Sequence, residues 1–172
     1  MPHNEKATEF LKECMADALL QLLKEKPIEK ISAQEIATLA GVGRATFFRN
    51  FRSKTEMLTY KLVCLWNKWA TEKGLAEHRR FTIRNVSDFF NFNYTIKHIY
   101  SIIYSAKLQY VIYDAYYQIM MSQAQGDERD CYRVKFYSYG LFGLLDEWIK
   151  RDYKETPKEM VQLFGRVMIG NL

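Results

Sequence analysis

The chain has 172 residues, 48% hydrophobic and 26% charged, with a net charge of +5. That length suits a small unit of about 50 residues plus one compact domain, and these fractions exclude a disordered chain. The basic excess is too modest to identify a partner by itself, so the placement of the basic residues matters more than their number.

No run of about 18 uncharged apolar residues occurs, so no membrane span is expected. The N-terminal stretch MPHNEKATEFLKEC has early acidic residues and no apolar core of a leader, so no secretory signal is expected. Cys14, Cys64 and Cys131 lie far apart without a CxxC spacing and read as reduced thiols of a cytoplasmic protein.

In chain order, residues 5–25 predict an amphipathic helix with Phe10, Leu11, Cys14, Met15, Ala18, Leu19, Leu22 and Leu23 as its apolar stripe, ended by Pro27. The segment Ile31–Leu58 then predicts two short helices around a tight turn, with a third helix following directly. Ser32 and Glu35 form a capping box before a face of Ile36, Ala37 and Ala40. Gly41 sits where the helix must end in a left-handed residue. The second helix starts near Gly43 or Arg44 and buries Phe47 and Phe51, four apart, leaving Arg44, Thr46, Arg49 and Asn50 to point elsewhere. Ser53 with Glu56 caps the third helix. From Gly43 to Lys54 there are four basic residues, Arg44, Arg49, Arg52 and Lys54, and no acidic one. Such a run suits a phosphate backbone.

The order Ile36-Ala37, Ala40-Gly41-Val42, Thr46-Phe47-Phe48, Phe51 and Ser53-Lys54, closing at Leu58, resembles the DNA-binding domain of TetR-type transcriptional regulators. The resemblance covers roughly the first third of the chain. It implies that Arg44, Ala45 and Thr46 lie near base edges, Phe48, Arg49 and Asn50 along the groove wall, and Lys54 against phosphate. Ser32, Ala33 and Gln34 open the first helix, from which Gln34 can reach a base or the backbone. Two positions depart from the family pattern. Gly43 replaces a Ser or Thr cap, which weakens the cap by a few tenths of a kcal/mol. Phe48 replaces a Tyr and so lacks the hydroxyl that would bond phosphate.

Beyond Ser53 a helix is expected to about Lys73, closed by Gly74, followed by a basic linker over 75–85. Three aromatic-rich helices follow at about 86–93, 95–105 and 106–122, and then a break at 123–127 containing Gly126. A strong helix is expected over 128–150, and a last one from Thr156-Pro157 with Pro in its first turn. No alternating run predicts a strand. The fold class is therefore all-α with about nine helices. Residues 1–53 are expected as the helix-turn-helix domain and 54–172 as a helical effector-binding and dimerisation domain.

An aromatic belt runs from Trp66 to Met121. Each residue alone reads as core, but the excess of Tyr is harder to bury because a buried hydroxyl needs a partner. Trp66, Trp69, Phe89, Tyr100, Tyr104, Tyr113, Tyr117 and Met121 are the candidate contacts of a small apolar or aromatic effector. The resemblance puts an effector pocket between the corresponding helices. In the C-terminal helices, Phe136, Gly140, Gly143, Leu144, Trp148, Phe164 and Met168 combine small and large residues and are the candidate dimer contacts. In the resembled family, the last two helices of each subunit pair across a dimer axis.

His3, His78 and His98 have no metal-ligand spacing, and no phosphate-binding or nucleophile motif occurs. No enzyme activity, metal or cofactor is expected. The resemblance implies a homodimeric, ligand-responsive repressor that binds double-stranded DNA at a palindromic operator. The alternative is a helix-turn-helix protein whose C-terminal domain binds a protein partner.

Overall fold

The structure, a computed structural model, describes residues 2–74, 86–122 and 128–169, with the side chains of all but 2–5, 128–130, 168 and 169. Among these, α-helices span Pro2–Leu22 (α1), Ala33–Leu39 (α2), Arg44–Asn50 (α3), Lys54–Glu72 (α4) and Val86–Thr95 (α5). Lys97–Ser105 (α6), Tyr110–Met121 (α7), Glu128–Lys150 (α8) and Pro157–Ile169 (α9) complete the set, with a 3-10 turn at Ile28–Lys30. No strand occurs among the described residues, as the absence of alternating runs predicts. The expected linker at 75–85 and the break at Gly126 lie outside the described residues.

Helix boundaries depart from the sequence expectation where the chain turns without glycine. α1 stops at Leu22, before Pro27, because the N–H groups of Lys24, Glu25 and Lys26 turn back onto the Gln21 and Leu22 carbonyls. Phe10, placed on the apolar stripe by its spacing, is 67% exposed. α6 ends at Ser105 and α7 starts only at Tyr110, because Lys107 takes φ +58° while Leu108 N–H bonds the Ile103 carbonyl. Between α8 and α9, Asp152 and Tyr153 both take φ +54°. Left-handed residues other than glycine cost roughly 1–2 kcal/mol each and leave no sequence signal.

The described residues of 2–65 and 101–115 form one compact unit, and those of 66–100 and 116–169 form a second. In the first, α1 packs on α2 and α2 on α3. Met15, Leu19, Ile31, Ile36, Ala37, Phe47, Phe51, Met57 and Leu58 are all buried there. The Lys12 ammonium lies 4.1 Å from the Tyr60 ring centre, and Lys61 pairs with Asp17 at 2.6 Å, so charge as well as apolar burial holds α1 to α4.

In the second unit α5 packs on α9, and Phe90 is enclosed between Trp148 at 5.6 Å and Phe164 at 6.4 Å. Asn93 is fully buried. Its Oδ1 accepts from the hydroxyls of both Tyr100 and Tyr116, whose oxygens are 2.9 Å apart, and its Nδ2 donates to the Phe89 carbonyl at 2.6 Å. Burial holds the Tyr116 phenol well above its usual range.

Candidate nucleic-acid interface

The helix-turn-helix is assembled from its caps. Ser32 N–H donates to Glu35 Oε2 at 2.8 Å while Glu35 N–H donates to Ser32 Oγ at 3.2 Å, the reciprocal pair that the sequence predicts. Lys26 adds an ion pair to the same carboxylate. The Lys26 ammonium, then the Ser32 N–H and hydroxyl, hold the Glu35 carboxyl at about 2, below its ordinary 4.5. After α2, Gly41 takes φ +69°, and the N–H groups of Gly41 and Val42 bond the Thr38 and Ala37 carbonyls. This turn aims α3.

α3 is a seven-residue helix with Gly43 at its cap and no side-chain capping bond. Phe47 is 5% exposed and Phe51 3%, so they are its inner face. Arg44, Ala45, Phe48 and Arg49 are exposed, while Thr46 and Asn50 are half-buried. Asn50 Nδ2 donates one proton to the Thr46 carbonyl at 2.7 Å, which leaves its second N–H and its Oδ1 to meet a partner. The Arg44 guanidinium sits 5.4 Å from the centre of the Phe48 ring, which itself packs edge-on against Phe47 at 5.1 Å. At the start of α2, Ser32 and Gln34 are exposed and Ala33 half-buried, and Gln34 Nε2 donates to Thr38 Oγ1 at 3.1 Å.

Lys54 has a role that the sequence does not reveal. Its ammonium donates to the carbonyls of Ile28 and Ile31, the latter at 2.8 Å, and so ties the start of α4 to the segment leading into α2. Two of its three protons are used this way, and one remains for a phosphate. The cap of α4 also differs in detail, because the Glu56 carboxylate accepts from Arg52 N–H at 2.6 Å and not from Ser53 N–H.

The expected effector residues divide between the units. Tyr104 and Tyr113 belong to the first, and Trp66, Trp69, Phe89, Tyr100, Tyr117 and Met121 to the second. Within the second unit, Trp66 and Trp69 pack against Phe92 at 5.1 and 5.7 Å. The partner of the Tyr100 hydroxyl is Asn93, which sequence reasoning missed. A lone Asn inside the apolar face Val86, Phe89, Phe90, Phe92 was the available signal.

The expected dimer residues also divide. Phe136 is 69% exposed, Gly140 and Gly143 are exposed, and a Cβ built on either glycine meets nothing within 4 Å. Leu144 is half-buried, and the side chain of Met168 lies outside the described ones. Trp148 and Phe164 correct the expectation. They are 1% and 5% exposed, with Trp148 Nε1 donating to the Glu155 carbonyl at 2.9 Å, and they fill the core of their own unit. Tyr139, on the same helix, is 59% exposed, and one exposed residue was missed, Tyr132 at 73%. With Phe136 and Gly143 they make one stripe of α8 at steps of four, three and four residues, a period readable in the sequence. Leu163 and Val167 are exposed four apart on α9.

Among the described residues no group of three or more His, Cys, Asp or Glu is placed to hold a metal ion. No described helix is long and apolar enough to cross a membrane.

Residues 16–60 match a family model described as bacterial regulatory proteins, tetR family. Residues 83–170, half of the chain, match one described as a transcriptional regulator C-terminal region. Among solved structures, the chain is similar to the crystal structure of a TetR transcriptional regulator from Rhodococcus sp. RHA1, at 16% identity, over 92% of this chain and 91% of that one, with a TM-score of 0.50. Identity that low is a likeness of fold. No curated protein sequence matches the chain.

Proposed function

The chain belongs to the TetR family of transcriptional regulators, and from that premise we propose that it is a cytoplasmic, ligand-responsive repressor that binds a palindromic operator as a homodimer. One observation carries the DNA-binding part of this reading: α3 is exposed, basic and free of acid along one side, and is fixed by Phe47 and Phe51 on the other. A helix so held fits the major groove, with Arg44 placed for the N7 and O6 of guanine. Residues 1–53 are the DNA-binding domain in this reading and 54–172 the effector-binding and dimerisation domain. Ser32, Ala33, Gln34, Ala45, Thr46, Phe48, Arg49 and Asn50 are the further DNA contacts in this reading, and Lys54 offers its third proton to phosphate.

The exposed stripe Tyr132, Phe136, Tyr139 and Gly143, with Gly140 beside it, supports pairing with a second copy of the chain, because the two glycines let another helix approach closely. A homodimer would hold two copies of α3 about one helical turn of DNA apart, ~34–36 Å. An effector acts only if it binds one spacing better than another. An apolar or aromatic molecule, contacted by residues of the belt from Trp66 to Met121, is the class that those side chains suit. One observation favours the second reading, a protein partner at the C-terminal domain: Tyr100 and Tyr116 are already satisfied by Asn93 and do not need a ligand's polar group.

Selection of duplexes from a random pool by the purified protein tests the proposal. Enrichment of an inverted repeat with half-sites one helical turn apart is expected, and Arg44→Ala should relax the preference at one position per half-site. Failure to enrich any motif would sink it. A screen of small aromatic compounds, read by Trp66 and Trp69 fluorescence and then by DNA release, separates an effector from a protein partner.

A further inference from the structure

Phe48 is 60% exposed on the same side of α3 as Arg44, one turn away, although burying a Phe side chain stabilises a fold by about 1.5–3 kcal/mol. Two side chains of the described residues meet its ring. Phe47 meets it edge-on from the core side, and the Arg44 guanidinium lies over it at 5.4 Å. The ring is thus held in one place by packing on one flank and a cation on the other, and its remaining surface is bare. A phenyl ring has no donor or acceptor for a phosphate or for the polar edges of bases. The one apolar group that the major groove presents is the C5-methyl of thymine, or the same methyl on a modified cytosine.

We propose that Phe48 is a specificity-determining residue that reads a pyrimidine C5-methyl in each half-site, beside the base contacted by Arg44. This rests on the reading of α3 as the recognition helix and adds a named chemical group to it. The pair works as a unit: the ring limits the directions open to the guanidinium, and the guanidinium keeps the ring turned toward the groove. Arg44 supplies the polar discrimination and Phe48 the apolar one. The half-site should therefore hold a thymine next to, or one step from, the base that Arg44 reads.

The test uses the full-length protein and the duplex that it selects from a random pool. Each thymine of one half-site is replaced in turn by uracil, which removes only the methyl. Wild type should lose affinity at one position, by about fourfold per half-site, since about one buried methyl is removed. Replacing that T·A pair by C·G should weaken binding further, and 5-methylcytosine at the same position should recover part of the loss. Phe48→Ala should bind the thymine and uracil duplexes equally, and Phe48→Leu, which keeps apolar surface, should still distinguish them. Because the side chain is exposed, both variants should keep the wild-type thermal midpoint within a few degrees. If wild type binds its selected duplex but is indifferent to uracil at every position, or if Phe48→Ala keeps the discrimination, the inference is overturned while the DNA-binding reading stands. If no duplex is selected at all, both fall.

Discussion

Asn93 shows how one polar side chain sets the cost of a tyrosine-rich core. Its carbonyl oxygen serves two buried hydroxyls, so Asn93→Leu should strand polar groups that have no route to water. A loss of about 2–3 kcal/mol in denaturant unfolding is expected, against about 1 kcal/mol for Tyr116→Phe, which leaves Asn93 and Tyr100 paired. Tyr153 is the opposite case. Its buried hydroxyl has no partner among the described residues, and burial pushes the phenol up. Tyr153→Phe should therefore leave stability unchanged or raise it by about 1 kcal/mol; a clear loss would reveal a bridge to that oxygen. Glu35 gives a pH signature. Its carboxyl is held at about 2 against 4.5 when unpaired, so its contribution is complete above 4.5 and disappears as pH falls from there toward 2. The stability gap between wild type and Glu35→Gln should be open near pH 7 and close progressively below 4.5. The capping partner Ser32 is legible in the sequence because its spacing is local. Lys26 and Asn93 are not, because their partners depend on how helices meet.

Elements were readable wherever a residue type forces the backbone. Gly41 and Gly74 take φ +69° and +68° at the ends of α2 and α4, as helix-ending glycines should. A Cβ at Gly41 would meet nothing within 4 Å, so Gly41→Ala isolates the conformational term. It should cost about 1–2 kcal/mol in thermal or denaturant unfolding, and Gly41→Asn should cost less, since Asn tolerates the left-handed region. The turns at Lys107 and Asp152-Tyr153 were illegible for the converse reason: their residues adopt φ above +50° only because the surrounding helices hold them there. Within the candidate interface, spacing placed Phe47 inside and Arg44 outside, but it could not show that Lys54 bonds backward onto Ile28 and Ile31. Lys54→Ala should consequently have two effects. It should lower stability by about 1.5–3 kcal/mol through lost charged hydrogen bonds, and flatten the salt dependence of DNA binding by about one unit if its third proton meets phosphate. Denaturation and a salt titration measure the two separately.

At the scale of the whole molecule, the stripe on α8 is an economical target because a Cβ at its glycine, Gly143, has room around it. A Cβ built at Gly143 meets nothing within 4 Å, so a larger side chain has open space at its root, and leucine favours a helix over glycine by about 0.7 kcal/mol. The Gly143→Leu protomer should unfold at an equal or higher denaturant concentration, while a contact built on close approach there should be overpacked. Light scattering should show a shift from dimer to monomer at micromolar concentration, with most operator affinity lost. Wild type that scatters as a monomer would remove the basis of the proposed homodimer. The sequence grouped the large and small residues of α8 and α9 as one set of candidate dimer contacts and did not separate those that face the core. Trp148 and Phe164 turned inward, where Phe90 and the loop carbonyl of Glu155 meet them, and Tyr132 and Tyr139 turned out.

The first compact unit is discontinuous: residues 2–65 are completed by 101–115. The later segment brings the buried side chains Ile103, Leu108, Val111, Ile112 and Ala115. On a ribosome making roughly 5–20 residues per second, the helix-turn-helix is synthesised some seconds before the segment that completes its unit. Over that interval the nascent chain must carry apolar surface without its cover. A fragment ending at residue 65 should unfold without a sharp thermal transition, whereas supplying residues 101–115 as a separate peptide should restore part of its cooperativity.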